Sequence, residues 1–278
     1  MLIANPIYDV VFKRLLENER VAKFFISTLL DQHIESVEVR PQEFTYEDEH
    51  RNIAVLRLDF LAVVRTAEGG HQKVLIEIQK ARNRIDVMRF RNYLAEQYKR
   101  EDKVGDARVV LPITTIYMLG FNIPEIETAC VHVNRQYRDL INARVLDARS
   151  SFIERLTHDS YIVQLRRIEG RYQSKLDKLL SVFEQANFVD ESQIIKEYAY
   201  PTEEGEVRLM TDILHRTVAD PETRQQIENE REAWRSFYAL FGEELSGKDE
   251  IIAEQERTLA EQRRLIEELQ KRLDQEKK

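Results

Sequence analysis

The sequence predicts an α/β protein of the α+β kind: an α-β-β-β-α-β core with a mixed sheet, followed by an all-helical C-terminal region. Three observations predict it. Apolar residues recur at helical spacing over Asn5 to Leu30 and then switch to the period of two, or to short continuous runs, between Ile34 and Leu119. After about Tyr161 strand signals vanish and charged amphipathic segments take over. The last thirty or so residues, from Lys248, are almost entirely Glu, Gln, Arg, Lys and Leu. The expected organisation is a first domain over 1–160, a helical region over 161–247 and a charged helical tail over 248–278.

The first element is one or two helices. Pro6 suits a first helical turn with Asn5 as its cap, and Val10, Val11, Leu15, Leu16, Val21, Phe24, Phe25 and Leu29 repeat at helical spacing. Asp9 and Lys13 lie one turn apart on the same side, the spacing of a surface ion pair. From Ile34 to Tyr46 apolar and polar residues alternate, as in a half-exposed strand. Glu47 to His50 is a polar turn, and the apolar run from Ile53 ends in a lone carboxylate, Asp59. After a turn at Glu68 to Gly70, the run Val74-Leu-Ile-Glu-Ile-Gln-Lys80 makes a third antiparallel strand of a meander. Period two puts Leu75, Glu77 and Gln79 on one face and Val74, Ile76 and Ile78 on the other. Both faces are apolar enough to call for cover on both sides, so Glu77 is costly to bury unless it is paired or binds a cation.

Arg82 to Val104 reads as a helix with Arg82, Arg84, Arg89, Arg91, Lys99 and Arg100 interleaved with Phe90, Tyr93 and Tyr98. It is either a solvated face or a phosphate-contacting one. Val109 to Leu119 reads as a buried strand, Gly120 to Pro124 as a turn, and Thr128 to Asn134 and Ser150 to Leu156 as further strands. Leu165 to Asn187 then predicts a basic amphipathic helix with Leu176, Leu179, Leu180 and Phe183 on its apolar side. Helices are also expected over Glu191 to Tyr200, Glu206 to Val218 and Glu222 to Phe241, the last capped by Asp220 before Pro221. In the tail, Leu245, Ile252, Leu259, Ile266 and Leu273 repeat at seven, but of Lys248, Gln255, Gln262 and Leu269 only the last is a good apolar partner. A dimeric coiled coil and a solvated helical tail both fit.

Composition narrows the function classes. The 278 residues are 42% hydrophobic and 33% charged, enough to bury a core in a chain more charged than an average domain. The single cysteine, Cys130, excludes a disulfide framework and a multi-Cys zinc site, and a small buried thiol is its expected role. With no signal peptide read at the start, a reducing cytoplasm is the expected compartment. No apolar run approaches the roughly 20 residues of a membrane helix. The net charge of -8 provides no global pull toward nucleic acid, so any such contact must rest on local charge. The six histidines show no metal-ligand spacing.

The constellation Asp59…Glu77-Ile78-Gln79 on neighbouring strands, after Asp9-x-x-Phe12-Lys13 in the first helix and before Arg89-x-x-x-Tyr93-x-x-x-x-Tyr98, resembles the PD-(D/E)XK nuclease superfamily. Within it the chain is most similar to the PD-(D/E)XK nuclease family transposases, akin to recombination-promoting nucleases. The resemblance covers about residues 5–156. It implies a restriction-endonuclease-like fold and a metal-dependent DNA endonuclease, with Asp59, Glu77 and the backbone carbonyl of Ile78 holding Mg²⁺ or, alternatively, Mn²⁺. Hydrolysing a phosphodiester needs charge neutralisation and an activated water, which a hard divalent cation held by one or two carboxylates supplies. The third motif position usually holds lysine. Here it is Gln79, which can orient water but brings no positive charge. Lys80 points to the opposite face of a regular strand, so Lys13 or Arg89 is the better substitute cation. By the same resemblance Asp9 adds a carboxylate, and Arg89, with Arg82 and Arg84, faces the DNA. The competing reading is a Glu77–Arg89 structural ion pair in a decayed nuclease fold, which binds DNA or assembles as a homo-oligomer through its C-terminal helix.

Overall fold

The computed structural model describes residues 1–40, 43–48, 51–57, 59–80, 84–202, 205–233 and 235–236, without the side chains of 43–57 and 84–86. The chain opens on a short strand, β1 (Leu2–Ala4), and two helices, α1 (Asp9–Leu16) and α2 (Glu19–Leu30). Asn18 divides the helices, its side chain accepting from the Val21 N–H at 3.2 Å as an N-cap. The expected start at Pro6 is corrected to Asp9. Asn5 does not cap it; its buried amide donates to the Gln193 carbonyl (2.9 Å) and to Gln185 (3.1 Å), far along the chain.

The meander is present, with different members. β2 (Ile34–Val39) is followed by a separate hairpin, β3 (Glu43–Asp48) and β4 (Arg51–Arg57), before β5 (Phe60–Thr66) and β6 (His71–Gln79) return beside it. The expected strand Ile34–Tyr46 is therefore divided between β2 and β3, and the run from Ile53 stays in β4, which ends at Arg57 short of Asp59. β5, apolar on both faces, lies between β2 and β6 in the sheet: Phe60, Ala62 and Val64 face the main core and Leu61 a second cluster. α3 (Arg84–Lys99) covers that second cluster, where Phe90 and Tyr93 pack on Leu61, Leu75 and Ile113. The helix stops at Lys99 rather than running to Val104, because β7 (Asp102–Val104) and β8 (Ala107–Val109) form a hairpin around Gly105, at φ 59°.

β9 (Ile113–Leu119) and β10 (Cys130–Val133) follow, then a hairpin of β11 (Tyr137–Asp139) and β12 (Arg144–Leu146). Ser150 to Leu156 is not a strand: it holds a short helix, α4 (Ser151–Glu154). The strand comes next, β13 (His158–Gln164), between β9 and β10. The sheet order is β10-β13-β9-β6-β5-β2, with β6, β9 and β13 mutually parallel and the other neighbours antiparallel. It is the mixed sheet expected of the class.

The region beyond is less helical than its sequence predicts. Leu165 to Asn187 resolves into a 3₁₀ turn (Leu165–Arg167), a break at Gly170 and α5 (Lys175–Ser181), whose Ser174–Asp177 capping box fixes its start. Glu191 to Tyr200 contains a strand, β14 (Ile195–Glu197), paired antiparallel with β1. α6 (Glu206–Ala219) forms as expected, and residues 221–233 are helical after Asp220, which accepts from the Glu222 N–H. Phe12, Phe25 and Phe183 meet edge to face at 5.6–6.2 Å and join α1, α2 and the segment just after α5 into one core. Met1–Glu228 is one compact unit, and Asn229–Lys278 is a second. The tail from Lys248, with its heptad positions, lies outside the described residues. Among the described residues no helix is long and apolar enough to cross a membrane.

Candidate active site

Asp59 sits on a bend just before β5, not at the end of a continuous strand. The β5–β6 pairing ends at Phe60 opposite Ile76. Two residues further along β6, the Ile78 N–H donates to Asp59 Oδ2 at 2.6 Å. In an extended strand the N–H and C=O of one residue point to the same edge, so the Ile78 carbonyl shares that edge with Asp59.

Glu77 projects from β6 to the face covered by α3 and is fully buried. Its Oε1 accepts from Arg89 Nη2 at 2.7 Å, whereas Oε2 has no hydrogen-bond partner among the described residues. Burial first, and then the Asp59 charge, hold the Glu77 carboxyl well above the usual range against the opposing pull of Arg89 and of the Asp59 backbone N–H. Asp59 is pushed up to about 7, by burial first and by the charge of Asp9 second; the Ile78 N–H, Arg89 and Lys13 act in the other direction. These couplings place α1, the bend, β6 and α3 around one centre. Two desolvated carboxylates that raise each other, one with a bare oxygen, form a locus short of positive charge.

Asp9 and Lys13 pair at 2.8 Å on α1, as their spacing predicts, and both act on Asp59. Gln79 is buried on the Glu77 face, and no hydrogen bond reaches its side chain among the described residues. Lys80 is directed elsewhere, its ammonium lying 4.3 Å above the Tyr8 ring. Arg84 begins α3 but its side chain, like the whole of Arg82, lies outside the described residues. Tyr98 donates to or accepts from His158 at 2.8 Å, and Tyr93 is buried in the cluster under α3. Half-buried Cys130 has its thiol pushed up to about 11 by burial, which makes it a poor nucleophile.

Gly120 does more at the end of β9 than open the turn that its sequence predicts. Its N–H donates to the Gln79 carbonyl at 2.7 Å, and a Cβ there would meet the Lys80 carbonyl oxygen at 2.9 Å and Lys80 Cα at 3.2 Å. The close approach of β9 to the end of β6 thus requires glycine. A single Gly closing an apolar strand was the available signal.

Among the described residues no group of three or more His, Cys, Asp and Glu side chains stands ready to hold a metal. The donor set that does fit a hard cation is smaller: two carboxylates, Asp59 and Glu77, and the Ile78 carbonyl, with the buried Glu77 Oε2, unpartnered among the described residues, as the oxygen best suited to meet a positive charge.

A family model for the PD-(D/E)XK nuclease family transposases matches residues 6–238. No curated protein and no solved structure matches the chain. Nucleases of this type generally use divalent metals, and the family implies DNA binding. With a mixed six-stranded sheet flanked by helices and the Asp59–Glu77 pair at one end of it, the chain belongs to the PD-(D/E)XK nuclease family transposases and shares their nuclease-like function.

Proposed function

We propose that the chain is a divalent-metal-dependent DNA endonuclease that hydrolyses phosphodiester bonds at Asp59 and Glu77. The observation that carries this reading is the buried Glu77 Oε2, which has no hydrogen-bond partner among the described residues, beside a second desolvated carboxylate. Asp59, Glu77 and the Ile78 carbonyl would hold the ion, Mg²⁺ or Mn²⁺. When bound, the ion supplies positive charge to the phosphoryl oxygens and lowers the pKa of a bound water.

The remaining work falls to the chain itself. The Ile78 N–H and Arg89 orient the two carboxylates. The Gln79 amide orients the attacking water, without the charge that a lysine would add. Lys13 and Arg89 supply cationic charge beside Asp59. Asp9 holds Lys13 in place and adds a carboxylate charge beside Asp59. Arg89, with Arg82 and Arg84, is assigned to the phosphate backbone, and the C-terminal tail to assembly of copies of the chain.

A specific observation also favours a second reading. Arg89 already neutralises Glu77 at 2.7 Å, as in a structural ion pair, and Gln79 lacks the lysine charge. A decayed nuclease fold that binds DNA, or another protein, without cutting fits the same contacts. Nicking of supercoiled plasmid separates the two. The nuclease reading expects Mg²⁺-dependent nicking that Asp59→Ala and Glu77→Ala each abolish while circular dichroism and melting stay native. Unchanged nicking in either variant defeats the site assignment. Salt-sensitive DNA binding without cutting under any metal supports the second reading.

A further inference from the structure

The hairpin of β11 and β12 exposes what most folds hide. Leu140 and Ile141, at its tip, are 89% and 93% exposed. The tip is nonetheless ordered by its own hydrogen bonds. Asp139 accepts from the backbone N–H groups of Ile141 (2.9 Å) and Asn142 (3.2 Å) and from the Asn142 amide (2.7 Å), and Ala143 turns the chain at φ 53°. Its base is clamped as well. Arg135 donates to Asp159 on β13 (2.9 Å) and to Thr157 (2.7 Å), and Tyr137 donates to Glu154 of α4. Two large aliphatic side chains are therefore presented to solvent on a braced two-stranded ribbon.

The charge around them identifies the occupant. Between Arg135 and Arg155 stand five arginines and no lysine, against three acids, Asp139, Asp147 and Glu154, in a chain whose net charge is -8. Arg138 and Arg155 are exposed and make no ion pair among the described residues, and the Arg144 side chain is 70% exposed with only a 3.6 Å contact to Asp139. Cross-strand pairing puts Arg138 beside Val145, on the face opposite Tyr137 and its contacts with α4. A ribbon with an apolar tip and arginine flanks matches a nucleic-acid duplex: the arginines meet phosphates, and the aliphatic pair enters between base steps.

We propose that the Leu140–Ile141 tip is a wedge that unstacks duplex DNA, with Arg138 and Arg144 holding the adjacent phosphates. This rests on the DNA-nuclease reading and adds a contact to it. β10 runs antiparallel to β13 and leaves the sheet at Val133, opposite Ser160, Thr115 and hence Leu75, heading away from the Gln79 end. Four residues separate Leu75 from Gln79, about 13 Å along the strands. The distortion should therefore lie about four base pairs or more from the scissile bond, at 3.4 Å per base pair.

The test is fluorescence of 2-aminopurine placed in turn along a duplex, titrated with the full-length protein in EDTA and again with Ca²⁺. The wedge predicts a rise of about threefold or more at one region of the duplex. The double variant Leu140→Ser, Ile141→Ser should lose that rise yet bind within about threefold of wild type, because phosphate contacts dominate affinity. Arg138→Ala with Arg144→Ala should weaken binding about tenfold and reduce the salt slope by about two. Duplex binding with no rise at any position, or a rise that survives the double serine change, overturns the wedge and leaves the nuclease reading intact. Failure of the wild-type protein to bind any duplex overturns both. A change of oligomeric state in the serine variant, seen by sedimentation, assigns the tip to self-association and overturns the wedge.

Discussion

Strand β6 carries two buried charges on the face covered by α3, and the fold answers them differently. Lys73, 1% exposed, is ion-paired with Asp102 Oδ2 at 2.9 Å and donates to Gln97 Oε1 at 3.1 Å and to the Gln97 carbonyl at 3.4 Å. Glu77, four residues along and fully buried, has one carboxylate oxygen paired with Arg89 and the other without a hydrogen bond among the described residues, beside a second carboxylate that raises it further. The first arrangement ties the end of α3 and β7 to the sheet. The second leaves a buried charge incompletely answered, which costs roughly 1–3 kcal/mol or more for each such group. Strongly shifted carboxylates in one cluster mark functional sites more often than scaffolds. The contrast is between a charge used for structure and one kept available for chemistry.

The comparison can be broken at either end. The largest expected effect is on activity: Asp59→Ala should lower the plasmid-nicking rate by about 10³-fold or more, roughly 4 kcal/mol of barrier, with native melting. Lys73→Met should do the reverse, destabilising the fold by about 3–5 kcal/mol in urea unfolding, because it strands Asp102, while the folded fraction still cuts. Gly120→Ala should cost about 1–3 kcal/mol by forcing the end of β6 away from β9, and should also slow nicking through the displaced Gln79. Glu77→Gln should change stability least, by about 1 kcal/mol, since it removes the desolvated charge while keeping an acceptor for Arg89. Equal destabilisation by Lys73→Met and Glu77→Gln would erase the distinction between the two charges.

A pH series sharpens the same contrast. Folded Asp59 keeps its proton up to about 7, whereas the unfolded group releases it near 3.8. The folded state thus binds more protons between those values, so this group makes metal-free stability fall as pH rises from about 4 to about 7. Asp59→Asn should flatten that leg. Lys196 works in the opposite sense at higher pH. Burial lowers it to about 7 from 10.5, so the unfolded state binds the extra proton and stability rises with pH between them. Melting temperature against pH, with and without Asp59→Asn, separates the two.

Much of the site was legible because its residues break local rules. Asp59 and Glu77 are carboxylates in runs that otherwise ask for burial, and Arg89 lies on a helix whose aromatic residues ask for cover. The same logic failed where tertiary contacts override local pattern. β13 begins with His158, Asp159 and Ser160, polar residues held by neighbouring strands on both sides, so no apolar run announces it. β14 exists only because β1 pairs with it from the far end of the chain. Asn5 looks like a helix cap but is used by Gln185 and Gln193. The bend that turns Asp59 toward the Ile78 N–H depends on where the β5–β6 ladder ends, which strand periodicity does not encode.

The central claim is that the bare oxygen of Glu77 and the raised carboxylate of Asp59 serve a cation. Calorimetric titration of the full-length protein with Mg²⁺, and with Mn²⁺, tests it most directly at a pH above 7, where Asp59 is ionised. The account predicts one saturable site in the wild-type protein that disappears in both Asp59→Ala and Glu77→Ala. No saturable binding by the wild type, or binding that both variants retain, would contradict it.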